Sequence, residues 1–274
     1  MKKGLFLICA LLASYTIASA QTPPSLSQIP CTTPQPPLTC DCRDLANSRN
    51  QITRMENTLK DWPNLARYRE ENTKIAPPAK DENRVVFMGD SITDFWAQPQ
   101  MAPFFPGKPY IGRGISGQTT PQMLLRFRPD VIALQPRAVV ILAGTNDIAG
   151  NTGPMSLEDV EGNLASMSEF ARSHGTKVIL SSVLPVYDGG HNRDGKEVIM
   201  TDRRLPEKIL ALNGWIKKYS ADNNIIYLDY FSAMVDDKGF LKRDLSEDGL
   251  HPNKKGYDVM APLAEAAIAA ALKK

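Results

Sequence analysis

The chain has 274 residues, of which 42% are hydrophobic and 23% are charged, and its formal net charge is +2. This composition is typical of a globular protein with one sizeable core, or with such a core and a small appendage. A net charge so close to zero gives no electrostatic attraction to nucleic acid or anionic lipid, so neither is expected as a partner.

The first twenty residues are typical of a secretory signal peptide. Lys2 and Lys3 precede an apolar run over 5–13, and small residues stand at 18–20. A basic start, a short apolar run and a small-residue cleavage site predict a leader over 1–20 that is removed on export. The protein is therefore expected in the periplasm or outside the cell. No later run reaches the roughly 18 apolar residues of a membrane-spanning helix, so no transmembrane segment is predicted.

Residues 21–42 are predicted to form an extended tether. Six prolines fall within 21–40, and so dense a set prevents a packed element. The segment also carries Cys31, Cys40 and Cys42. In an exported protein these predict one disulfide, from Cys31 to Cys40 or Cys42, with an odd thiol left over; a zinc site is the alternative.

Residues 43–80 are predicted to form an N-terminal helical segment that packs on, or leads into, the core. Apolar residues recur at helical spacing over 43–60, and residues 61–63 are expected to end that helix. A second, short helix is expected to begin at Asn64 and to end before Pro77.

From Arg84 onward, short apolar runs alternate with amphipathic stretches. The apolar runs predict buried strands, and their alternation with helices predicts a parallel sheet covered on both faces. We therefore predict a three-layer α/β/α fold, in which the loops at the carboxyl ends of the strands form the site. The predicted strands are 85–89, 109–111, 138–143, 177–183 and 224–229, and the predicted helices are 121–134, 156–173, 205–222 and 253–272.

Ser91 stands where the first predicted strand gives way to a helix. Unpaired backbone N–H groups point outward at a helix N-terminus, so a serine there is well placed to act as a nucleophile. The same N–H groups can accept the negative charge that develops on a substrate. The alternative is that Ser91 only caps the helix.

His251 is the histidine whose surroundings best fit a role in catalysis. The chain has three histidines, and His251 follows Asp248 by three residues, just before the last helix. A carboxylate at that spacing can hold one imidazole nitrogen and leave the other free to take a proton from a serine. His174, at a helix end, and His191, in a polar loop, are interpreted as structural residues.

Two further residues are candidates for stabilising an oxyanion. Asn146 follows the third predicted strand and can direct its amide N–H2 at a developing negative charge, while Gly117 can offer its backbone N–H. The alternatives are that Asn146 closes a turn and that Gly117 is needed for a positive φ.

Four sequence blocks together resemble the SGNH hydrolase superfamily, the GDSL-type esterases and lipases. The blocks are Gly-Asp-Ser at 89–91, the glycine block ending at Gly117, Gly-Thr-Asn-Asp at 144–147, and Asp-Gly-Leu-His-Pro at 248–252. All four occur in the order of that superfamily. The residues in these blocks are most similar to those of bacterial acylhydrolases near the platelet-activating-factor acetylhydrolase-like branch.

The resemblance implies a fold and a set of roles. The fold is a flavodoxin-like, parallel five-stranded sheet, with 81–274 as the catalytic domain. Ser91 would be the nucleophile, His251 the general base and then acid, and Asp248 the residue that orients the imidazole. The N–H groups of Ser91 and Gly117, with the side chain of Asn146, would form the oxyanion hole. The reaction would be ester hydrolysis through an acyl-enzyme, without a metal or an organic cofactor.

The substrate prediction is a short, acetyl-type ester, with carbohydrate as the leading alcohol. Lysophospholipids and aryl esters are alternatives within the same fold, and a non-catalytic glycan-binding module is the alternative outside enzymology. Four aromatic residues after the nucleophile could line an acyl pocket or belong to the core, and three arginines could border the pocket. These are Phe95, Trp96, Phe104 and Phe105, and Arg193, Arg203 and Arg204.

A dinucleotide site is not predicted, although residues 112–117 fit the pattern G-x-G-x-x-G. The pattern follows the weakest predicted strand, and Pro121 interrupts soon after it. No acidic residue ends a strand about 20 residues later, as such a site requires. The oligomeric state is not predicted from the sequence.

Overall fold

The computed structural model describes residues 42–98, 104–192 and 194–273. The chain separates into two compact units, 1–51 and 52–274. In the first unit the described part is the beginning of helix α1 (Cys42–Lys60). The predicted leader, the tether and the pairing of its cysteines lie outside the described residues. Within those residues, no helix is both long and apolar enough to cross a bilayer.

The described part of the second unit alternates strands and helices. The strands are β1 (Val85–Gly89), β2 (Tyr110–Gly114), β3 (Ala138–Leu142), β4 (Lys177–Ser181), β5 (Gly190–His191), β6 (Glu197–Val198) and β7 (Ile226–Leu228). The helices that follow α1 are α2 (Arg69–Lys74), α3 (Ser91–Trp96), α4 (Thr120–Asp130), α5 (Thr145–Ile148), α6 (Leu157–Ser173), α7 (Pro206–Asp222), α8 (Phe231–Met234) and α9 (Lys254–Lys273).

Five of these strands form one parallel sheet in the order β2-β1-β3-β4-β7. Counted among themselves they follow the order 2-1-3-4-5, which is the flavodoxin-like order. The predicted three-layer α/β/α fold is therefore confirmed. The order of the strands reverses between β1 and β3, so a crevice opens at their carboxyl ends. Ser91 follows β1 and Asn146 follows β3, which brings both residues to this crevice.

The sheet has a hydrophobic core on each face because side chains alternate along every strand. Val86 and Met88 of β1 face a cluster that includes residues of α4, α6 and α7. Val85 and Phe87 face the opposite cluster, which includes residues of α3 and α9. All four of these β1 side chains are buried, as a strand covered on both faces requires.

The segment before β1 is held by hydrogen bonds to the end of β2, to the loop after it and to the start of α4. The Nε2 of Gln122 donates to the carbonyl oxygen of Trp62 at 2.8 Å, and the Nε2 of Gln118 donates to that of Pro63 at 2.7 Å. The hydroxyl of Tyr68 donates to the carbonyl oxygen of Gly114. Backbone carbonyls at 62 and 63 are thus held against the second sequence block.

Among the element boundaries that differ from the sequence prediction, two lie close to the site. The short helix begins at Arg69 rather than Asn64, because the carboxylate of Asp61 accepts the N–H groups of Leu65 and Ala66 at 2.8 and 2.9 Å and holds a turn there. Asn64 itself has φ 54°, in the left-handed region.

The second strand extends to Gly114, beyond the predicted end at Ile111. Glycine has a low strand propensity, which hid this extension in the sequence. The structure needs glycine at 114, since an added Cβ would lie 2.7 Å from the carbonyl oxygen of Asp90 and would collide with the backbone N of Asp94. The start of α3 therefore lies directly against β2.

Gly114→Ala is expected to lower the free energy of unfolding by about 2–3 kcal/mol, because backbone atoms of α3 must move to admit the methyl group. Gly162→Ala is the matched control: Gly162 lies in α6 with nothing within 4 Å of an added Cβ. That control should stabilise the protein by about 0.5–1 kcal/mol, since alanine favours a helix. Urea unfolding followed by circular dichroism measures both changes, and equal stabilities would contradict the packing described here.

Candidate active site

The crevice at the carboxyl ends of β1 and β3 holds a hydrogen-bonded chain of three side chains. The Oγ of Ser91 lies 2.9 Å from Nε2 of His251. The Nδ1 of the same imidazole lies 2.6 Å from Oδ2 of Asp248. Ser91 and His251 are 160 residues apart in sequence. The structure thus brings together the predicted serine, histidine and aspartate.

Asp248 is held by its own loop. Its Oδ1 accepts the backbone N–H groups of Leu250 at 3.0 Å and of His251 at 2.8 Å. Burial opposes ionisation of Asp248, but the hydrogen bonds and the charge of His251 outweigh burial, and the pKa of the carboxyl lies well below its usual range. Asp248 is therefore an anion beside the imidazole, which fixes the orientation of the ring.

Ser91 is the first residue of α3, and the cap of that helix is Asp90. The carboxylate of Asp90 accepts the backbone N–H of Ile92 at 2.9 Å. The hydroxyl of Ser91 is therefore not needed as a cap and lies against His251 instead. The alternative reading of Ser91 as only a helix cap is wrong.

Two buried carboxyl groups flank the nucleophile. Burial raises the pKa of Asp90 to about 6, and the charge of Asp147 adds to this effect. Burial also raises the pKa of Asp147, although its Oδ1 accepts the N–H of Thr120 at 2.8 Å and the hydroxyl of Thr120 at 2.6 Å. The Oδ2 of Asp147 has no hydrogen-bond partner among the described residues.

The amide of Asn146 is oriented from both ends. Its Nδ2 donates to the carbonyl oxygen of Gln118 at 3.0 Å, and its Oδ1 accepts Nη2 of Arg204 at 3.2 Å. The Nε of Arg204 also donates to Oγ1 of Thr145 at 3.1 Å. Because the guanidinium binds the amide oxygen of Asn146, the amide nitrogen points toward Gln118, the residue that follows the second sequence block.

Arg204 is buried beneath Asn146, with 7% of its surface exposed. The sequence suggested instead that it borders the pocket. Arg203 donates to the carbonyl oxygen of Ala149 at 2.7 Å and is exposed. Arg193 lies outside the described residues. No local signal in the sequence marks Arg204, because its partners at 145 and 146 are nearly 60 positions away.

Gly117 lies in the loop between β2 and α4, with φ 81°. Its carbonyl oxygen accepts Nδ2 of Asn151 at 3.2 Å. Its backbone N–H donates no hydrogen bond to the described residues. Gly117 thus has the positive φ that was predicted as the alternative. The N–H of Gly117 is available to a ligand.

The aromatic residues after the nucleophile divide between the core and the site. Trp96 and Phe105 are buried and pack with Phe87, so they belong to the core. The ring of Phe95 instead lies 4.9 Å from the imidazole of His251 and is half-buried. Phe95 therefore borders the predicted catalytic residues.

The other two histidines have different surroundings. The Nδ1 of His174 lies 2.9 Å from the carbonyl oxygen of Phe170 at the end of α6. His191 is exposed in the β5–β6 hairpin. Among the described residues, no three His, Cys, Asp or Glu side chains are grouped so that they could hold a metal ion.

A family model describing the GDSL-like lipase/acylhydrolase family matches residues 87–259, more than half of the chain. The chain belongs to the GDSL-like lipase/acylhydrolase family. All four sequence blocks fall within the matched range, so the resemblance to GDSL-type hydrolases is confirmed. This family is one of carboxylic ester hydrolases, which is the enzyme class that the sequence predicted.

Relatives of known structure and curated relatives agree with this family. A GDSL-like lipase of Bacteroides thetaiotaomicron is 44% identical, with a TM-score of 0.68 over 76% of this chain and 98% of that chain. The uncharacterized lipoprotein YqeF of Bacillus subtilis is 32% identical over 43% of this chain and 49% of that protein. An acetylxylan esterase of Xylanibacter ruminicola is 25% identical over 71% of this chain and 45% of that protein. The chain spans about half the length of these two curated relatives.

Asp90→Asn is expected to gain stability relative to the wild type as the pH rises. The pKa of about 6 lies above the usual value of Asp, so the folded wild type binds the proton more tightly than the unfolded chain and loses stability as the pH rises through this interval. Asparagine can still accept the N–H of Ile92. The relative gain between pH 4 and pH 7 should be about 2–3 kcal/mol, by thermal or urea unfolding.

Asp236→Asn is the control for this pH dependence. Backbone hydrogen bonds, led by the N–H of Phe240, lower the pKa of Asp236. Because the usual pKa of Asp lies below 4 and that of Asp236 is lower still, this carboxyl is ionised in the folded and unfolded chains over most of this interval, and Asp236→Asn should run nearly parallel to the wild type between pH 4 and pH 7. Parallel pH profiles for Asp90→Asn and the wild type would contradict the raised pKa.

Proposed function

We propose that this protein is a secreted serine esterase that hydrolyses short, acetyl-type esters of carbohydrate through an acyl-enzyme. The observation that supports this most directly is the continuous contact from Ser91 through His251 to Asp248 in a member of the acylhydrolase family. A non-catalytic glycan-binding module would have no need of this arrangement.

The mechanism follows from the geometry. The Oγ of Ser91 attacks the ester carbonyl carbon as its proton passes to Nε2 of His251, and the anionic Asp248 stabilises the resulting imidazolium. The tetrahedral intermediate collapses, its bond to the alcohol oxygen breaks, and Nε2 returns the proton to that oxygen. Water then attacks the acyl-enzyme with the same proton transfers, which releases the carboxylic acid and restores Ser91.

The oxyanion of the intermediate is assigned to three donors. These are the backbone N–H groups of Ser91 and Gly117 and the Nδ2 of Asn146. The N–H of Ser91 is at the first turn of α3, that of Gly117 is unpaired among the described residues, and Arg204 orients the amide of Asn146. Loss of one such donor typically reduces kcat by about 10²–10³.

The substrate and the location are supported by the relatives. A relative that matches over 71% of this chain is named an acetylxylan esterase, which favours acetyl groups on a sugar. Another relative is named a lipoprotein, which agrees with the export that the predicted leader implies. Phe95 beside His251 offers an apolar wall for a small acyl group.

The direct test is hydrolysis of p-nitrophenyl esters from C2 to C12. The wild type is expected to favour C2 over C12 by at least about tenfold in kcat/KM, because a short pocket cannot bury a long chain. Ser91→Ala should lose about 10⁴–10⁶ in kcat. Ser173→Ala, an exposed serine at the end of α6, should retain the wild-type rate.

Each contrary outcome has a distinct meaning. Comparable rates on C2 and C12 would exclude the short-acyl preference and favour a lysophospholipase or arylesterase. Equal activities of the wild type and Ser91→Ala would exclude Ser91 as the nucleophile. A folded wild type without activity on any ester, but with tight binding to a glycan, would favour the binding module.

A further inference from the structure

A groove of about 550 Å³ lies between the segment before β1 and the loop after β2. We call it the Trp62 groove. Its volume is within the range of about 300–1,000 Å³ that small-molecule sites occupy. The residues that matter for its chemistry are Trp62, Asn64, Ser116, Gly117, Asn151 and Thr152.

The indole of Trp62 is unlike the other two tryptophan rings. Trp96 stacks on Tyr257 with ring centroids 5.1 Å apart, and Trp215 stacks on Tyr219 at 4.8 Å. Trp62 is half-buried, belongs to neither hydrophobic cluster, and makes no ring contact or side-chain hydrogen bond with the described residues. An aromatic face held in place without a protein partner is available to a ligand.

The backbone around Trp62 is fixed by hydrogen bonds, although its ring makes no aromatic contact with the described residues. Gln122 and Gln118 donate to the carbonyl oxygens of Trp62 and Pro63, which holds this segment against the second block. The ring therefore needs little ordering when a ligand binds, and preorganisation of this kind favours affinity.

The groove offers polar but uncharged chemistry. Its wall carries the amide of Asn64, together with the amide of Asn151 and the hydroxyls of Ser116 and Thr152, which also hydrogen-bond within the protein. Asp61 is the one charged residue that lines it among the described residues, and its carboxylate already accepts the N–H groups of Leu65 and Ala66. Neutral donors and acceptors around an aromatic face fit a ligand with hydroxyl groups and an apolar C–H face, which is the chemistry of a pyranose ring.

The Trp62 groove adjoins the proposed oxyanion hole. Gly117 lines the groove and is also an assigned oxyanion donor. The next residue, Gln118, also lines the groove, and its carbonyl oxygen accepts Nδ2 of Asn146. Asn151, which also lines the groove, supports the same loop by donating to the carbonyl oxygen of Gly117. A ligand in the groove therefore lies beside the position of the reacting carbonyl group.

We propose that the Trp62 groove binds the sugar part of a carbohydrate ester, with a pyranose ring stacked on the indole of Trp62. This inference rests on the proposed function and names the part of the chain that recognises the alcohol. Trp62 and Asn64 precede residue 87, where the family match begins. Sugar recognition is thus assigned in part to the segment that precedes the range matched by the family model.

The first test measures binding without turnover. The full chain carrying Ser91→Ala is titrated with acetylated xylo-oligosaccharides by calorimetry and tryptophan fluorescence. Adding Trp62→Ala should raise the Kd by at least about tenfold, since a stacked ring loses its partner. Trp62→Phe should recover part of the affinity. Absence of binding to the Ser91→Ala protein, or binding that Trp62→Ala leaves intact, would overturn the proposal.

The second test uses the active enzyme and separates the groove from the chemistry. The measured quantity is kcat/KM on acetylated xylo-oligosaccharides divided by kcat/KM on p-nitrophenyl acetate. Trp62→Ala should lower this ratio about tenfold, mainly through KM on the sugar substrate. Trp215→Phe, at a ring stacked on Tyr219, should leave the ratio within about twofold.

Further variants and outcomes keep the two proposals distinct. Asn64→Gly suits the positive φ of that position and removes one amide, so it should lower the ratio even if Trp62→Ala fails to fold.

An unchanged ratio in all groove variants, with p-nitrophenyl acetate still hydrolysed, would overturn the proposal for the groove and leave the esterase proposal intact. Sugar binding that depends on Trp62 in a protein without esterase activity would support the groove and exclude the esterase.

Discussion

The contact between Ser91 and His251 connects the two ends of the catalytic unit. Ser91 follows the first strand of the sheet and His251 precedes the last helix, yet their side chains lie 2.9 Å apart. This approach depends on the packing of α9 against α3, in which the hydroxyl of Tyr257 donates to the carbonyl oxygen of Ile92 at 2.8 Å. It also depends on tight loop packing, since a Cβ at Gly190 would lie 2.6 Å from the carbonyl oxygen of Asp248.

The carboxyl groups around this contact lie in two kinds of environment. Asp248 accepts hydrogen bonds from its own loop and from His251, so it is ionised despite partial burial. Asp90 and Asp147 are buried with fewer donors, and their pKa values are raised. In the proposed reaction, the imidazolium of His251 would be stabilised by the carboxylate of Asp248, which it contacts directly.

The sequence predicted those features whose signals are local. The buried strands are continuous apolar runs, and Asp248 and His251 are close in sequence, so both could be identified without a structure. The pairing of Asn146 with Arg204 could not, because nothing near Arg204 indicates which residue its guanidinium will contact. The end of β2 at Gly114 was also hidden, because a residue type that disfavours strands is required there by the backbone of α3.

The Trp62 groove also could not be predicted from the sequence, because the residues that form it are far apart in the chain. Trp62 was interpreted from the sequence only as part of a helix end, and its place in the groove is evident only in the structure, where the carbonyl groups at 62 and 63 accept hydrogen bonds from Gln122 and Gln118. The segment before the family domain thus contributes a surface beside the site. In the proposed function, the range matched by the family model carries the reacting groups, and the segment before it contributes a candidate surface for recognition.

The most direct measurement of the central claim is covalent labelling by a fluorophosphonate, followed by mass spectrometry of the intact protein and of its peptides. We expect one adduct, located on the peptide that contains Ser91, and we expect Asp248→Asn to slow its formation by about 10²–10⁴. No adduct on the folded protein, or an adduct on a different serine, would contradict the assignment of Ser91 as a nucleophile activated by His251 and Asp248.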